Sequence, residues 1–312
     1  MPRVIDLADD GLLSLDECVE RIADRGFDPG SEESLIEAAR DLRRLGNDRR
    51  FLGDILIAEL KRRNQPDAAT TTYGPQVVML SRPAGDFFLR ANIWPAPGEH
   101  VLRASGEAPF YFDVPHDHNF SFLTLGYFGP GYWSDYYEYD FAGVAGYRGE
   151  PVDLRFVERS RLSEGKLMLY RAHRDVHVQH PADALSVSLN VMHMAPHQGW
   201  FDQYRFDVPG KRIAGILNGG SAEAMLRVAV GLGLEEALDL AEDFGRTHPS
   251  DRMRLAGWEA LAMVADGAVA RDELWARAEA GGSRLVAGEA KRQRRALTPE
   301  RGEDTKACEL AR

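Results

Sequence analysis

The sequence predicts an α+β protein in which a central β-barrel is flanked by helical regions on its N-terminal and C-terminal sides. Apolar residues recur with helical spacing before residue 66 and again after residue 219, whereas the segment between them is rich in short β-type runs. We therefore divide the chain into a helical region at 1–66, a barrel at 67–210, a helical region at 219–288 and a tail at 289–312. The tail is polar and charged, and we expect it to be disordered.

The N-terminal region is predicted to form three helices. Ser14 and Glu17 match a capping box, in which each side chain satisfies a free backbone N–H group at the start of a helix. A second helix is expected to begin near Ser34, and FLGDILIAELKRR is predicted to form the third. After residue 219, further amphipathic stretches predict helices: SAEAMLRVAVGLGLEEALDLAEDF, SDRMRLAGWEALAMVADG and RDELWARAEA.

Six runs between residues 70 and 207 are predicted strands. They read QVVMLS, DFFLRANIW, FSFLTLGYF, VDLRFVE, KLMLYRA and LSVSLNVMHM. FSFLTLG and LSVSLNV alternate small polar residues with larger apolar ones, which is typical of a strand with one face in a core. Many short strands separated by Gly and Pro breaks favour a sandwich or a closed barrel.

The composition argues against several classes of function. The chain of 312 residues has a formal net charge of −11 and an isoelectric point near 5.4, which argues against binding to nucleic acid or to an anionic membrane. No apolar run approaches the roughly 20 residues that cross a bilayer, and the acidic start lacks the pattern of a secretory signal. Cys18 and Cys308 offer no disulfide framework, so we expect a cytoplasmic protein.

Histidines concentrate in one part of the chain. Seven of the nine lie between residues 116 and 197. His116 and His118 are one residue apart in PHDHNFSFL, immediately before a predicted strand. Residues i and i+2 of an extended segment point to the same face, so the two imidazoles can bind one metal ion. A third ligand must then come from a distant segment that folds beside this one.

Several residues are candidates for that third ligand. His173, His177 and His180 precede a predicted strand, His193 lies within it, and Glu138 offers a carboxylate. Neutral imidazoles with an occasional carboxylate suit Fe(II), Ni(II), Cu(II), Mn(II) or Zn(II). The residues alone leave open whether His177 or His180 is the ligand and whether Glu138 contributes.

These motifs resemble those of the cupin superfamily, small double-stranded β-barrels that bind a metal with an HxH pair on one strand and a histidine on a later one. Within it, the closer resemblance is to the three-histidine thiol dioxygenases of the cysteine dioxygenase type. Their first motif, HDH followed by a serine and an apolar strand, corresponds to HDHNFSFL at 116–123, and their second corresponds to His177 in HVQHPADALSVSLNV. In FFLRANIW, Arg90 occupies a position comparable to that of the family's carboxylate-binding arginine.

The resemblance covers roughly residues 70–205 and implies a mononuclear non-haem Fe(II) centre on His116, His118 and His177 that activates O2. Because cupins often dimerise, it also implies a homodimer. Two features depart from the cysteine dioxygenase type. No cysteine lies near the first motif, and GYFGPGYWSDYYEYD does not match the family.

Two further features bear on the substrate. Aromatic residues crowd positions 132–139, and we interpret them as a wall over the metal, with Tyr137 as a residue of the catalytic site. Arg90 is the candidate anchor for a substrate carboxylate, because a guanidinium group matches the two oxygens of that anion.

The leading hypothesis is therefore a metal-dependent oxygenase, an Fe(II) dioxygenase that acts on a small carboxylated or aromatic substrate together with O2. A first alternative is a non-oxidative isomerase, decarboxylase or hydrolase that uses Mn, Ni or Zn, and consumption of O2 would separate the two. A second alternative is a non-enzymatic metal- or ligand-binding barrel whose helical regions dock a partner protein.

Overall fold

The structure, a computed structural model, describes residues 2–63 and 75–297, and these form eleven β-strands and nine α-helices. The strands are β1 (Arg3–Val4), β2 (Val77–Met79), β3 (Phe87–Trp94), β4 (Phe122–Phe128), β5 (Trp133–Glu138), β6 (Arg155–Arg161), β7 (Leu167–Tyr170), β8 (Asp175–Gln179), β9 (Ser186–His193), β10 (Tyr204–Asp207) and β11 (Arg212–Ile216). The helices are α1 (Leu15–Arg25), α2 (Glu32–Asn47), α3 (Phe51–Arg63), α4 (His100–Ser105), α5 (Ala222–Gly231), α6 (Glu235–Thr247), α7 (Asp251–Val264), α8 (Gly267–Glu279) and α9 (Arg284–Leu297). The described residues divide into two units, one up to 217 without 145–147, the other comprising 145–147 and 218–297.

The β-structure of the first unit has two antiparallel layers. One layer is a six-stranded sheet in the order β1-β7-β4-β9-β3-β2. The other contains the sheet β6-β5-β8 and the hairpin β10-β11, which residues 115–118 connect: His116 pairs with His177 of β8 and with Arg205 of β10. The prediction of a fold that combines helices with β-sheets is confirmed, and the sheets are antiparallel. Closure of the layers into a barrel stays a prediction.

The two layers face each other across an aromatic core. Trp94, Phe122 and Tyr170 of the six-stranded sheet share one buried cluster with Tyr132 and Tyr136. The hydroxyl oxygens of Tyr136 and Tyr170 lie 3.0 Å apart and join the layers by a hydrogen bond. The strands β5 and β8 are not among the six predicted runs, because WSDYYE and DVHVQ are short and carry many polar residues.

Helices α1–α3 cover the opposite face of the six-stranded sheet. Leu123 and Leu125 of β4 lie in one buried cluster with Ile22 of α1 and Leu42 of α2. At Gly46 the helix approaches the sheet so closely that a Cβ atom would lie 2.3 Å from Cδ2 of Leu125. Residues alternate along a strand, so one face of this sheet meets the helices while the other faces the second layer.

The boundaries of these helices follow local sequence signals. The predicted capping box is present: Oγ of Ser14 accepts from the N–H of Glu17, whose carboxylate accepts from the N–H of Ser14 at 2.9 Å. The second helix begins at Glu32 after the cap Ser31, slightly before the predicted start, because the Ser31 side chain satisfies the N–H of Ser34. The third helix, Phe51–Arg63, matches the prediction.

The second unit consists of α5–α9. Helix α7 packs against α5, α6, α8 and α9, and it contributes Met253 and Trp258 to the two buried clusters of this unit. Helix α9 continues to Leu297, so the first nine residues of the tail predicted to be disordered are helical. The rest of that tail lies outside the described residues. No helix within 2–63 or 75–297 combines the length and hydropathy that a membrane crossing requires.

Candidate metal centre

Backbone pairing brings the two histidine segments together. The N–H of His116 donates to the carbonyl of His177 at 3.1 Å, and the N–H of His177 donates back to the carbonyl of His116 at 2.9 Å. On the other side of the segment, the N–H of Phe206 donates to the carbonyl of Pro115 at 2.9 Å. Residues 115–118 are therefore an extended segment between β8 and β10, and the same-face prediction for His116 and His118 follows from this conformation.

The residue between the two histidines anchors the segment. Asp117 is fully buried and points away from the imidazoles. Its Oδ2 accepts a hydrogen bond from the hydroxyl of Tyr139 at 2.6 Å, and its Oδ1 accepts one from the N–H of Tyr204 at 2.6 Å. The HDH pattern thus combines two candidate ligands on one face with a positioning carboxylate on the other.

The three imidazoles converge through their Nε2 atoms. Nε2 of His177 lies 3.1 Å from Nε2 of His116 and 3.1 Å from Nε2 of His118, and all three rings are buried. Two nitrogens that bind one ion at about 2.1 Å subtend roughly 95° when they are this far apart, which suits a transition-metal ion. Among the described residues, this is the one group of three potential ligands that the geometry brings together.

The surroundings keep the imidazoles neutral. Burial lowers the pKa of His116 to about 4. Burial, together with the charge of neighbouring histidines, holds the pKa values of His118 and His177 well below the usual range. Nδ1 of His116 lies 2.7 Å from the carbonyl of Val114, which requires the proton to be on Nδ1 and leaves a lone pair on Nε2. A neutral imidazole with a free lone pair is the form that binds metals.

A cavity of about 400 Å³ opens onto the three histidines. Its apolar wall is formed by Val77, Trp94, Pro109, Tyr111, Phe120 and Phe122, and its polar groups come from Gln76, Arg90, Asn92, Gln179 and Gln203. Burial lowers the pKa of Arg90 to about 10, and its Nε has no hydrogen-bond partner among the described residues. The placement of Arg90 beside the histidines makes it available to an anionic ligand.

His177, rather than His180, joins the cluster. Strand β8 ends at Gln179, and within it His177 and Gln179 share the face that lines the cavity. His180 follows the strand, and its ring lies between two carboxylates, with Nδ1 2.7 Å from Asp113 and Nε2 3.1 Å from Asp135. Both ring nitrogens of His180 are thus engaged by polar groups outside the cluster.

Two predicted site residues lie elsewhere. The carboxylate of Glu138 pairs with Arg155 at 2.8 Å, Arg171 at 3.0 Å and Arg174 at 3.4 Å, and it is not part of the histidine group. The expected carboxylate ligand is thus committed to guanidinium groups at the end of β5. Tyr137 does not line the cavity, because it points to the opposite face of β5, where its ring contacts Phe156.

Sequence reasoning missed residues that only tertiary contacts reveal. Tyr136, which pairs with His177 across β5 and β8, faces the histidines in place of Tyr137. The ring of Tyr170 packs against that of His177 with centroids 4.9 Å apart, and Gln203 contributes a side-chain nitrogen 3.4 Å from Nδ1 of His118. The alternation of β5 would have indicated Tyr136 if the strand had been recognised.

No family model and no curated protein matches the chain. Similar solved structures include a cupin domain from Bordetella pertussis Tohama I, with 14% identity over 41% of this chain and 100% of that one. They also include hydroquinone 1,2-dioxygenase PnpCD in complex with Cd2+ and 4-hydroxybenzonitrile, with 10% identity over 41% and 68%, and the DMSP lyase DddQ from Ruegeria pomeroyi DSS-3, with 12% over 44% and 71%. Each TM-score is 0.23, which is too low to assign a fold or a function to this chain.

Proposed function

We propose that this protein is a metal-dependent enzyme of the cupin type, in which His116, His118 and His177 bind one divalent transition-metal ion. The observation that carries the proposal is the convergence of three buried, neutral Nε2 atoms at the edge of a cavity. Nitrogen ligands of this kind suit Fe(II), Mn(II), Ni(II) and Zn(II). We propose Fe(II) as the resident ion and O2 as a co-substrate, in keeping with the resemblance of the motifs to three-histidine dioxygenases.

The chain's own residues have separable roles in such a reaction. The three histidines hold the ion. The Val114 carbonyl orients the ring of His116, and Asp117 anchors the backbone between His116 and His118. When bound, the ion would act as a Lewis acid and, if it is iron, would supply the redox chemistry that O2 requires. A substrate packed against the apolar wall of the cavity would displace water, which strengthens the electrostatic interactions inside the site.

Arg90 indicates the class of substrate that the site would bind. Arg90 lines the cavity together with the histidines, and its buried Nε has no partner among the described residues. A carboxylate would supply the missing acceptor and offset the cost of burying the charge. We therefore propose a small organic acid with an apolar or aromatic body, of a size that a cavity of about 400 Å³ accommodates.

Metal analysis combined with measurements of oxygen uptake tests the proposal. The full-length protein is purified without added metal or chelator, alongside a His116→Ala/His118→Ala variant, and a panel of small aromatic and aliphatic acids is screened in an oxygen electrode. We expect about one iron per chain in the wild type, loss of iron in the folded variant, and O2 uptake with at least one acid.

The other outcomes separate the alternatives. Zinc, nickel or manganese bound at the same histidines, with turnover that needs no O2, would favour a lyase, isomerase or hydrolase and contradict the oxygenase. If neither protein binds a metal even after reconstitution, the metal-site proposal is wrong. A non-enzymatic ligand-binding barrel with helical docking regions would then explain the chain better.

A further inference from the structure

A second polar group of the cavity has no hydrogen-bond partner among the described residues. Asn92 lies two positions after Arg90 on β3, and alternation places both side chains on the face that lines the cavity. Asn92 is 7% exposed, and its buried Oδ1 accepts no hydrogen bond from any residue that the structure describes. Burying an amide group without a partner costs free energy, so a ligand that bonds to it would bind more tightly than one that does not.

The charges around the cavity limit what that ligand group can be. No aspartate or glutamate is among the described residues that line the cavity, whereas Arg90 is positively charged. A metal ion on the three neutral histidines would add further positive charge. An ammonium group would therefore enter without a counter-charge, and a neutral group faces no such penalty.

We infer that the substrate is a small hydroxy acid, with its carboxylate at Arg90 and a neutral hydroxyl group at Asn92. The unpartnered Oδ1 is an acceptor, so the ligand group that pairs with it must donate. A hydroxyl donates without adding a positive charge, whereas an ammonium donates but adds one. The inference rests on the proposed function and narrows it, because it separates hydroxy acids from simple carboxylic acids and from amino acids.

The spacing along β3 supports a hydroxyl close to the carboxylate. Residues two apart in a strand are separated by about 6.6 Å, and both Arg90 and Asn92 line the cavity. The apolar wall around Trp94, Phe120 and Phe122 leaves room for a body without further polar groups. A carboxylate, an adjacent hydroxyl and an aromatic ring are thus the complementary parts.

Three acids that differ in one substituent test the inference. Mandelate carries the hydroxyl, phenylacetate lacks it, and phenylglycine replaces it with an ammonium group. Binding of each to the full-length protein is measured by titration calorimetry, both metal-free and loaded with redox-inactive Zn(II). We expect mandelate to bind about tenfold more tightly than phenylacetate, because only mandelate satisfies Asn92, and phenylglycine to bind most weakly.

Variants assign the preference to the proposed residue. In Asn92→Leu, mandelate and phenylacetate should bind within about twofold of each other, since no polar group remains to distinguish them. In Asn92→Asp, a counter-charge is present and phenylglycine should gain at least about tenfold relative to mandelate. Asn190→Leu removes a buried amide of the neighbouring strand that does not line the cavity, and it should keep the wild-type preference. Thermal melts establish that each variant is folded.

Failure of the inference can be distinguished from failure of the proposed function. Equal binding of mandelate and phenylacetate, or strongest binding of phenylglycine, would overturn the inference, while loss of all binding in Arg90→Met would still support the anion anchor. If Zn(II) binds at one per chain and none of the three acids binds, both the inference and the acid-substrate proposal are wrong, although the metal site stands. If Zn(II) does not bind, the metal site is wrong, and the metal-free titrations alone decide the inference.

Discussion

The two faces of the six-stranded sheet are built from alternate residues of the same strands, yet they differ in chemistry. On the helix-covered face, Leu123, Leu125 and Leu189 pack into a closed apolar cluster. On the face toward the second layer, the alternate positions include Arg90, Asn92 and Thr124. Each of these three has a buried polar atom without a hydrogen-bond partner among the described residues.

The helix-covered face of the sheet thus contributes mainly to stability, whereas the other face carries the polar groups that we propose bind ligands. A buried polar atom without a partner lowers stability, and evolution retains such atoms mainly where a ligand, an ion or water satisfies them. In the helix layer, the buried carboxylate of Asp41 is paired: it accepts a hydrogen bond from Arg21 at 2.9 Å and forms an ion pair with Arg25. Arg90 and Asn92, by contrast, each keep a polar atom without a hydrogen-bond partner among the described residues, and both line the cavity in which we propose that ligands bind.

The largest expected effect separates two histidines that are three residues apart. His177→Ala should weaken metal binding by more than about a hundredfold, because even loss of a group that only supports a ligand costs 10–100-fold. His180→Ala should change metal affinity by less than about twofold, since that ring pairs with carboxylates outside the cluster. Competition with a chelating dye measures both affinities. Equal losses would show that the histidine cluster is not the metal site.

Two adjacent residues of β4 test the contrast between the faces directly. Leu125→Ala should lower the free energy of unfolding by about 2–5 kcal/mol, because it leaves a cavity against the helices. Thr124→Val should change it by less than about 1 kcal/mol in either direction, since the lost hydroxyl has no partner among the described residues. Chemical denaturation measures both. A large loss in Thr124→Val would mean that this hydroxyl is satisfied, for example by ordered water.

Removing the charge of Arg90 in the sheet and that of Asp41 in the helix layer should change the stability of the protein in opposite directions. Arg90→Met should stabilise the metal-free, unliganded protein by about 1–2 kcal/mol, because it removes a buried Nε that has no hydrogen-bond partner among the described residues and keeps the apolar stem. Asp41→Asn should destabilise it by about 1–3 kcal/mol, since the fully buried carboxylate of Asp41 pairs with two arginines. Thermal melts of both variants give the signs. A destabilising Arg90→Met would contradict the interpretation that function imposes this charge.

The smallest expected effect separates two neighbouring tyrosines. Tyr136→Phe should cost about 1 kcal/mol, because it breaks the buried hydrogen bond to Tyr170 that joins the layers. Tyr137→Phe should cost less than about 0.5 kcal/mol, since its contact with Phe156 involves the ring rather than the hydroxyl. Differential scanning calorimetry on matched samples resolves the difference. Equal costs would show that the hydrogen bond between the layers contributes little.

Local sequence patterns were sufficient for the parts of this protein that depend on neighbouring residues. The capping box at Ser14, the division into helical and β-rich regions, and the same-face geometry of His116 and His118 all follow from spacings of a few residues. Predictions failed or stayed open where the deciding contact was distant in sequence or the strand was too short to recognise. Tyr137 illustrates this: the sequence predicts it as a residue of the catalytic site, whereas the alternation of β5 directs its ring toward Phe156.

Only the tertiary structure decided the composition of the site. The backbone pairing of residues 115–118 with β8 joins segments about sixty residues apart, and it selects His177 instead of His180. The same fold pairs Glu138 with three arginines and leaves Oδ1 of Asn92 without a partner among the described residues. The sequence by itself determined which side chains could bind a metal or an acid. Which of them converge depends on strand register and side-chain partners, which are properties of the assembled layers.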